Sequence, residues 1–116
     1  MLEKNIEAEV GRQVKEWSRD IKLELHYLKL TIVAGRGWPD RLILCPNRGA
    51  LFIEFKRPGE QPRKLQLHIH AILRKLGFEV QIHDDVNIAV AAIKTYVDAT
   101  ARAGAGHEAD SGGQGG

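Results

Sequence analysis

The chain has one cysteine, Cys45, among 116 residues, so no internal disulfide holds the fold and a reducing compartment is expected. That cysteine sits inside an apolar run, which favours a buried, inert thiol over a nucleophile. No apolar stretch approaches the roughly 20 residues that a bilayer span needs, so no membrane is expected as a partner. No signal-peptide pattern opens the chain either, because residues 1–20 are too charged for that role. No internal repeat is visible. The formal net charge is only +2, too small by itself to name a partner.

What is present is 43% hydrophobic and 28% charged residues, ordinary for one globular domain with a single core. The charge is unevenly placed. Between residues 56 and 75, Lys56, Arg57, Arg63, Lys64, Arg74 and Lys75 stand against a single acid, Glu60. A basic segment close to carboxylates suits an anionic polymer held by its phosphates, and by charge alone it suits solvated loops equally well.

Periodicity predicts the elements. Leu2, Ile6, Val10, Val14, Trp17 and Ile21 recur at helical spacing, giving a helix over 3–20. Residues 25–33 read as a strand, 41–45 as a second, and 50–56 as a third after the turn Pro46-Asn47-Arg48-Gly49. Pro62 suits the first turn of a helix over 62–76, with Leu65, Ile69, Ile72 and Leu76 as its buried stripe and Gly77 as its stop. A strand over 79–83 follows. A last helix over 86–98, capped by Asp84 or Asp85, turns Val86, Val90, Ile93 and Val97 inward. The expected fold is therefore α/β in the order α-β-β-β-α-β-α, a central mixed sheet flanked by helices over residues 1–99. From residue 100 to 116 the Gly- and Ala-rich sequence is expected to form a disordered tail.

The histidines discourage a zinc site. His68 and His70, two apart on a helix, point about 200° from each other, while His26, His83 and His107 fall in separate elements. The informative cluster lies between Pro39 and Lys56. Strand alternation puts Phe52, Glu54 and Lys56 on one face, with Glu54 and Lys56 about 6–7 Å apart. A charged pair ending so apolar a strand costs desolvation unless a metal ion or substrate compensates, and fraying into solvent is the plainer alternative. Asp40 follows a turn, Gly35-Arg36-Gly37-Trp38-Pro39, that permits close backbone approach. Pairing about the Pro46–Gly49 turn sets residues whose numbers sum to about 95 opposite each other. Asp40 is thereby brought beside Glu54 and Lys56, as a site for a hard divalent cation that holds a phosphodiester and ionises water.

The ordered set Gly35-Arg36-Gly37-Trp38-Pro39-Asp40, Phe52-Ile53-Glu54-Phe55-Lys56, Leu65-Gln66 and Leu76-Gly77 resembles the VRR-NUC (virus-type replication-repair nuclease) family of the PD-(D/E)XK superfamily. The likeness runs from about Glu3 to Val90. It implies a restriction-endonuclease-like core, Mg²⁺ or Mn²⁺ as cofactor, phosphodiester hydrolysis, and a cytoplasmic location in a bacterial or phage-infected cell. Small members of the family resemble Holliday junction resolvases, which implies branched DNA as substrate and a homodimer. Carried over residue by residue, Asp40, Glu54 and the Phe55 carbonyl would ligate metal, Lys56 would orient the attacking water, and Gln66 would bind that water or a phosphate oxygen. The family's first-helix glutamate matches Glu7 best, with Glu3 and Glu9 as alternatives. Arg36, Trp38, Arg57, Arg63, Lys64 and His70 are the expected DNA contacts, Trp38 by stacking on a base or by supporting the turn. The rival readings are a non-catalytic nucleic-acid-binding module and a nuclease of flap, nicking or restriction type.

Overall fold

The computed structural model describes residues 1–33 and 35–113, with side chains described as far as residue 103. Its elements are α1 (Glu3–Asp20), β1 (His26–Lys29), β2 (Arg41–Cys45), β3 (Gly49–Phe55), α2 (Lys64–Lys75), β4 (Glu79–His83) and α3 (Val86–Gly113), in the expected order. The strands form one mixed sheet, β1-β2-β3-β4, in which β3 pairs antiparallel with β2 and parallel with β4. A parallel neighbour requires a crossover, and α2 supplies it.

The apolar character of β3 on both faces is what puts it at the centre. Leu51, Ile53 and Phe55 point into a core with Ile6, Val10 and Val14 of α1 and Ala89, Val90, Ile93 and Val97 of α3. Phe52 points the other way, into a smaller cluster with Leu73 of α2 and Val80 of β4. Glu54 shares the face of Phe52, so it lies under α2. The turn before β3 places Asn47 (φ 64°) and Arg48 (φ 63°) in the left-handed region, with the Gly49 N–H donating to the Pro46 carbonyl at 3.3 Å. Two positive φ values in succession match the twist of a tight hairpin. A Cβ on Gly49 would lie 2.2 Å from Cys45 Sγ, so only glycine lets β2 and β3 meet there. Cys45 itself is half-buried rather than fully enclosed.

Three expectations need correction. β1 is shorter than residues 25–33, because its ladder with β2 runs out where the Leu30 N–H reaches the Asp40 carbonyl and no strand continues beside it. The helix over 62–76 begins at Lys64, after Arg63, whose N–H donates to Gln66 Oε1 at 2.8 Å. That side-chain bond satisfies an otherwise orphaned donor and sets the start of the helix.

The stripe of α2 is also turned from its expected direction. Gln66, His70 and Leu73 are buried, while Leu65, Ile72 and Leu76 are 47%, 41% and 69% exposed. The polar residues turn inward because the sheet face beneath them carries Glu54, which they can meet and leucine cannot.

Asp85 caps α3, its Oδ1 accepting from the Ile88 N–H at 2.9 Å. The helix continues past residue 98, where Tyr96 Oη bridges to Ala50 and the Asn47 amide donates to the carbonyls of Thr100 and Ala101. The helix is continuous to Gly113. Of the segment 100–116 read as a tail, residues 114–116 lie outside the described ones.

Candidate active site

The turn at 35–39 places Asp40. Gly37 has φ 84°, and a Cβ there would lie 2.8 Å from Leu65 Cγ and 2.9 Å from the Leu65 carbonyl, so the turn packs tightly on the start of α2. The buried Pro39 follows, and the Asp40 N–H donates to the Ile53 carbonyl at 2.9 Å. Asp40 Oδ2 then accepts the Phe55 N–H at 2.7 Å. The observed β2–β3 register, Arg41 opposite Ile53, is one residue displaced from the expected one and puts Asp40 beside Glu54. Lys56 follows the last residue of β3, its N–H donating to the His83 carbonyl of β4 at 2.9 Å.

Glu54 is 2% exposed and Lys56 6% exposed. Glu54 Oε2 accepts from Gln66 Nε2 at 3.0 Å and lies 3.4 Å from Lys56 Nζ. Glu54 Oε1 has no hydrogen-bond partner, an expensive state for a buried carboxylate oxygen. Burial pushes the Glu54 pKa up to about 7, with the Asp40 charge adding to the rise and Lys56 opposing it. Asp40 is raised as well, chiefly by burial, while the Phe55 N–H opposes the rise.

These groups line a cleft of about 530 Å³, together with Leu2, Glu3, Lys4, Arg57, Glu60, Gln61 and Arg63. Among the described residues no three His, Cys, Asp or Glu side chains form a ready-made metal cage. The donor set nevertheless fits a hard divalent cation. Mg²⁺ and Mn²⁺ accept one or two carboxylates and complete their shells with water and phosphate oxygens, and the unpartnered Glu54 Oε1 is an oxygen still lacking a partner. Asp40 and Glu54 are the residues that would hold the ion.

The other expected residues divide. Arg57 and Arg63 line the cleft. Arg36 and Arg63 line an adjoining cavity of about 490 Å³ that also shares Gln66. Lys64 is exposed at the start of α2 and lines neither cavity. Trp38 is half-buried and packs against the Phe52–Leu73–Val80 cluster. His70 is 0% exposed, so it cannot touch DNA; its Nε2 lies 3.6 Å from Glu54 Oε1. Burial lowers the His70 pKa, with Arg74 and Lys56 adding to the effect.

Glu7 is buried, and one of its carboxylate oxygens is held by cations of the neighbouring strands. Its Oε2 pairs with Arg41 Nε and, at 3.0 Å, with Lys29 Nζ. Tyr27 Oη donates to the Glu7 carbonyl at 2.9 Å and Arg41 stacks over the Tyr27 ring, so α1, β1 and β2 are tied together there. Glu9 pairs with Arg12 on the exposed side of α1. The first-helix acid that lines the cleft is Glu3, whose pKa is raised by burial and then by Glu60 and Asp40. Glu60 and Lys4 were not anticipated from the sequence. The only signal for Glu60 was its position as the sole acid of the basic segment, in the loop that follows Lys56.

No family model matches the chain. A solved structure described as "VRR_NUC domain" superposes with a TM-score of 0.61 at 26% identity, covering 78% of this chain and 97% of that one. A protein of Acyrthosiphon pisum secondary endosymbiont phage 1, "Putative nuclease p44", is 45% identical over 53 residues. The match spans 46% of this chain and only 57% of that protein's length.

Proposed function

We propose that the chain is a VRR-NUC-type domain, a reading its restriction-endonuclease-like fold supports, and that it is a metal-dependent endonuclease that hydrolyses DNA phosphodiesters. The observation that carries this reading is the buried Glu54 carboxylate, one oxygen without a partner, beside Asp40 on the floor of a cleft lined by Lys56 and Arg63. A module that only binds nucleic acid gains nothing from a buried and a half-buried acid facing phosphates.

Bound Mg²⁺ or Mn²⁺ would polarise the phosphate and lower the pKa of a water molecule. Asp40 and Glu54 would hold the ion, and the family resemblance adds the Phe55 carbonyl as a further oxygen. Lys56 orients the attacking water and offsets charge developing on the phosphate. Gln66 holds Glu54 in place, since its carbonyl is taken by the Arg63 N–H and one amide hydrogen by the carboxylate. Its remaining N–H is free for water or a phosphate oxygen. Arg63 and Arg36 carry the strand away from the cut along the adjoining cavity.

Branched DNA is the preferred substrate in this reading, which the family resemblance supports, and the enzyme works in the cytoplasm. Among the described residues no helix is long and apolar enough to cross a membrane. The test is incubation with labelled four-way junction, flap and linear duplex DNA with Mg²⁺ or Mn²⁺. Cleavage of the junction in preference to duplex is expected. Cleavage of none of them, with either ion, refutes the enzymatic reading, and preference for another structure refutes the junction assignment alone.

Junction cutting calls for paired sites, and the exposed Leu65, Ile72 and Leu76 on α2 support a homodimer built on that helix. Light scattering is expected to give a dimeric mass for the wild type and a monomeric mass for Ile72→Glu/Leu76→Glu. A monomeric wild type at tens of micromolar (roughly the range of transient dimers) refutes the dimer.

A further inference from the structure

Three polar atoms of the described interior have no hydrogen-bond partner, and all three belong to one contact: Glu54 Oε1, His70 Nδ1 and His70 Nε2. His70 is completely enclosed at 0% exposure, one helical turn after Gln66 on the inward face of α2. Leaving a whole imidazole unpaired is costly, and an apolar residue at this position would avoid that cost. The ring earns its place only through what it faces, which is Glu54 Oε1 at 3.6 Å. That separation is just beyond hydrogen-bond length, and a movement of about half an ångström closes it.

We infer that His70 is a positioning residue for the active site: its Nε2–H donates to Glu54 Oε1 and aims that carboxylate into the cleft. The inference rests on the reading of Glu54 as a metal ligand. A neutral imidazole has one N–H, and the nitrogen facing a carboxylate must carry it, leaving Nδ1 as a bare acceptor. Gln66 grips Oε2 from one side. With His70 on Oε1, each carboxylate oxygen has a donor from α2, and the remaining lone pairs converge on the ion. Ligating carboxylates are commonly held in this way, and loss of such a partner costs about 10–100-fold in metal affinity or activity. Two donors one helical turn apart also explain why α2 buries Gln66 and His70 while leaving Leu65, Ile72 and Leu76 outside.

The test uses the full chain without DNA. Calorimetric titration with Mn²⁺ is expected to show binding at least about tenfold weaker in His70→Leu, and within about threefold of wild type in His70→Gln, which keeps a donor. His70→Leu is expected to melt no lower than wild type in the metal-free state, separating positioning from support of the fold. Long-range ¹H–¹⁵N spectra of the wild type at about pH 8.5, where Glu54 is ionised, should show the Nε2–H tautomer, a readout that needs neither ion nor variant. Wild-type Mn²⁺ affinity in His70→Leu, or the Nδ1–H tautomer, overturns the inference. A wild type that binds no Mn²⁺ overturns the reading of the metal site, and the tautomer then decides the hydrogen bond by itself.

Discussion

Asp40→Asn, Glu54→Gln and Lys56→Ala are each expected to lower the single-turnover cleavage rate by about 10³-fold or more, while DNA affinity at fixed salt changes by only a few-fold. The asymmetry follows from what each group contacts. Asp40 and Glu54 lie on the cleft floor, where the Phe55 N–H and the Gln66 amide already fix one oxygen of each. Replacing either carboxylate by its amide keeps the shape and removes half of the negative charge available to the ion. Lys56 Nζ lies 3.4 Å from Glu54 Oε2, so in the proposed reading its loss would remove a cation beside the reacting phosphate. In the proposed reading, affinity for the polymer would come instead from Arg57 and Arg63, which line the cleft, and Arg36, which lines the adjoining cavity, all untouched by these substitutions. Intact cleavage in any of the three refutes that residue's role. Loss of affinity in parallel with rate shows that the acids organise the DNA-binding surface rather than the chemistry.

The parts of this site that were legible in the sequence are those fixed by local rules. Alternation along β3 put Glu54 and Lys56 opposite the core face of Ile53 and Phe55, and the Pro46–Gly49 turn brought Asp40 close, with the register out by one. What escaped was decided by long-range partners. Leu65, Ile69, Ile72 and Leu76 form the more apolar stripe of α2, and burial should have favoured it. Glu54 overrides that preference, since its cost of burial falls only if polar groups from the facing helix reach it. Glu7 matched the expected pattern, but Arg41 and Lys29 arrive from β2 and β1 to occupy its carboxylate, which no periodicity within α1 reveals. His70 was read as a surface contact because histidine usually is one; only the position of Glu54 beneath α2 explains its burial.

Glu54→Gln should also make the metal-free protein more stable at pH 8, by on the order of 2 kcal/mol, with little difference at pH 5. Glu54 has its pKa raised to about 7 by burial, with Asp40 contributing, against an ordinary value of 4.5. The folded state therefore binds a proton more tightly than the unfolded state does. The stabilising contribution of the protonated form is complete below 4.5 and is lost as pH rises toward 7. Above 7 the wild type carries a buried charge that the glutamine variant lacks, so the variant gains relative stability there. The same proton competes with the metal. Mn²⁺ affinity of the wild type should fall by up to about tenfold per pH unit below 7 and level off above it. Melting curves from pH 5 to 8.5, with and without Mn²⁺, measure both effects. The Mn²⁺-induced rise in Tm should grow with pH in the wild type and vanish in Glu54→Gln. Equal stability of the two apoproteins at every pH would show that Glu54 is solvated in the folded state. A stability gain together with a cleavage loss from one substitution would instead identify Glu54 as a charge kept at the expense of the fold for the ion it holds.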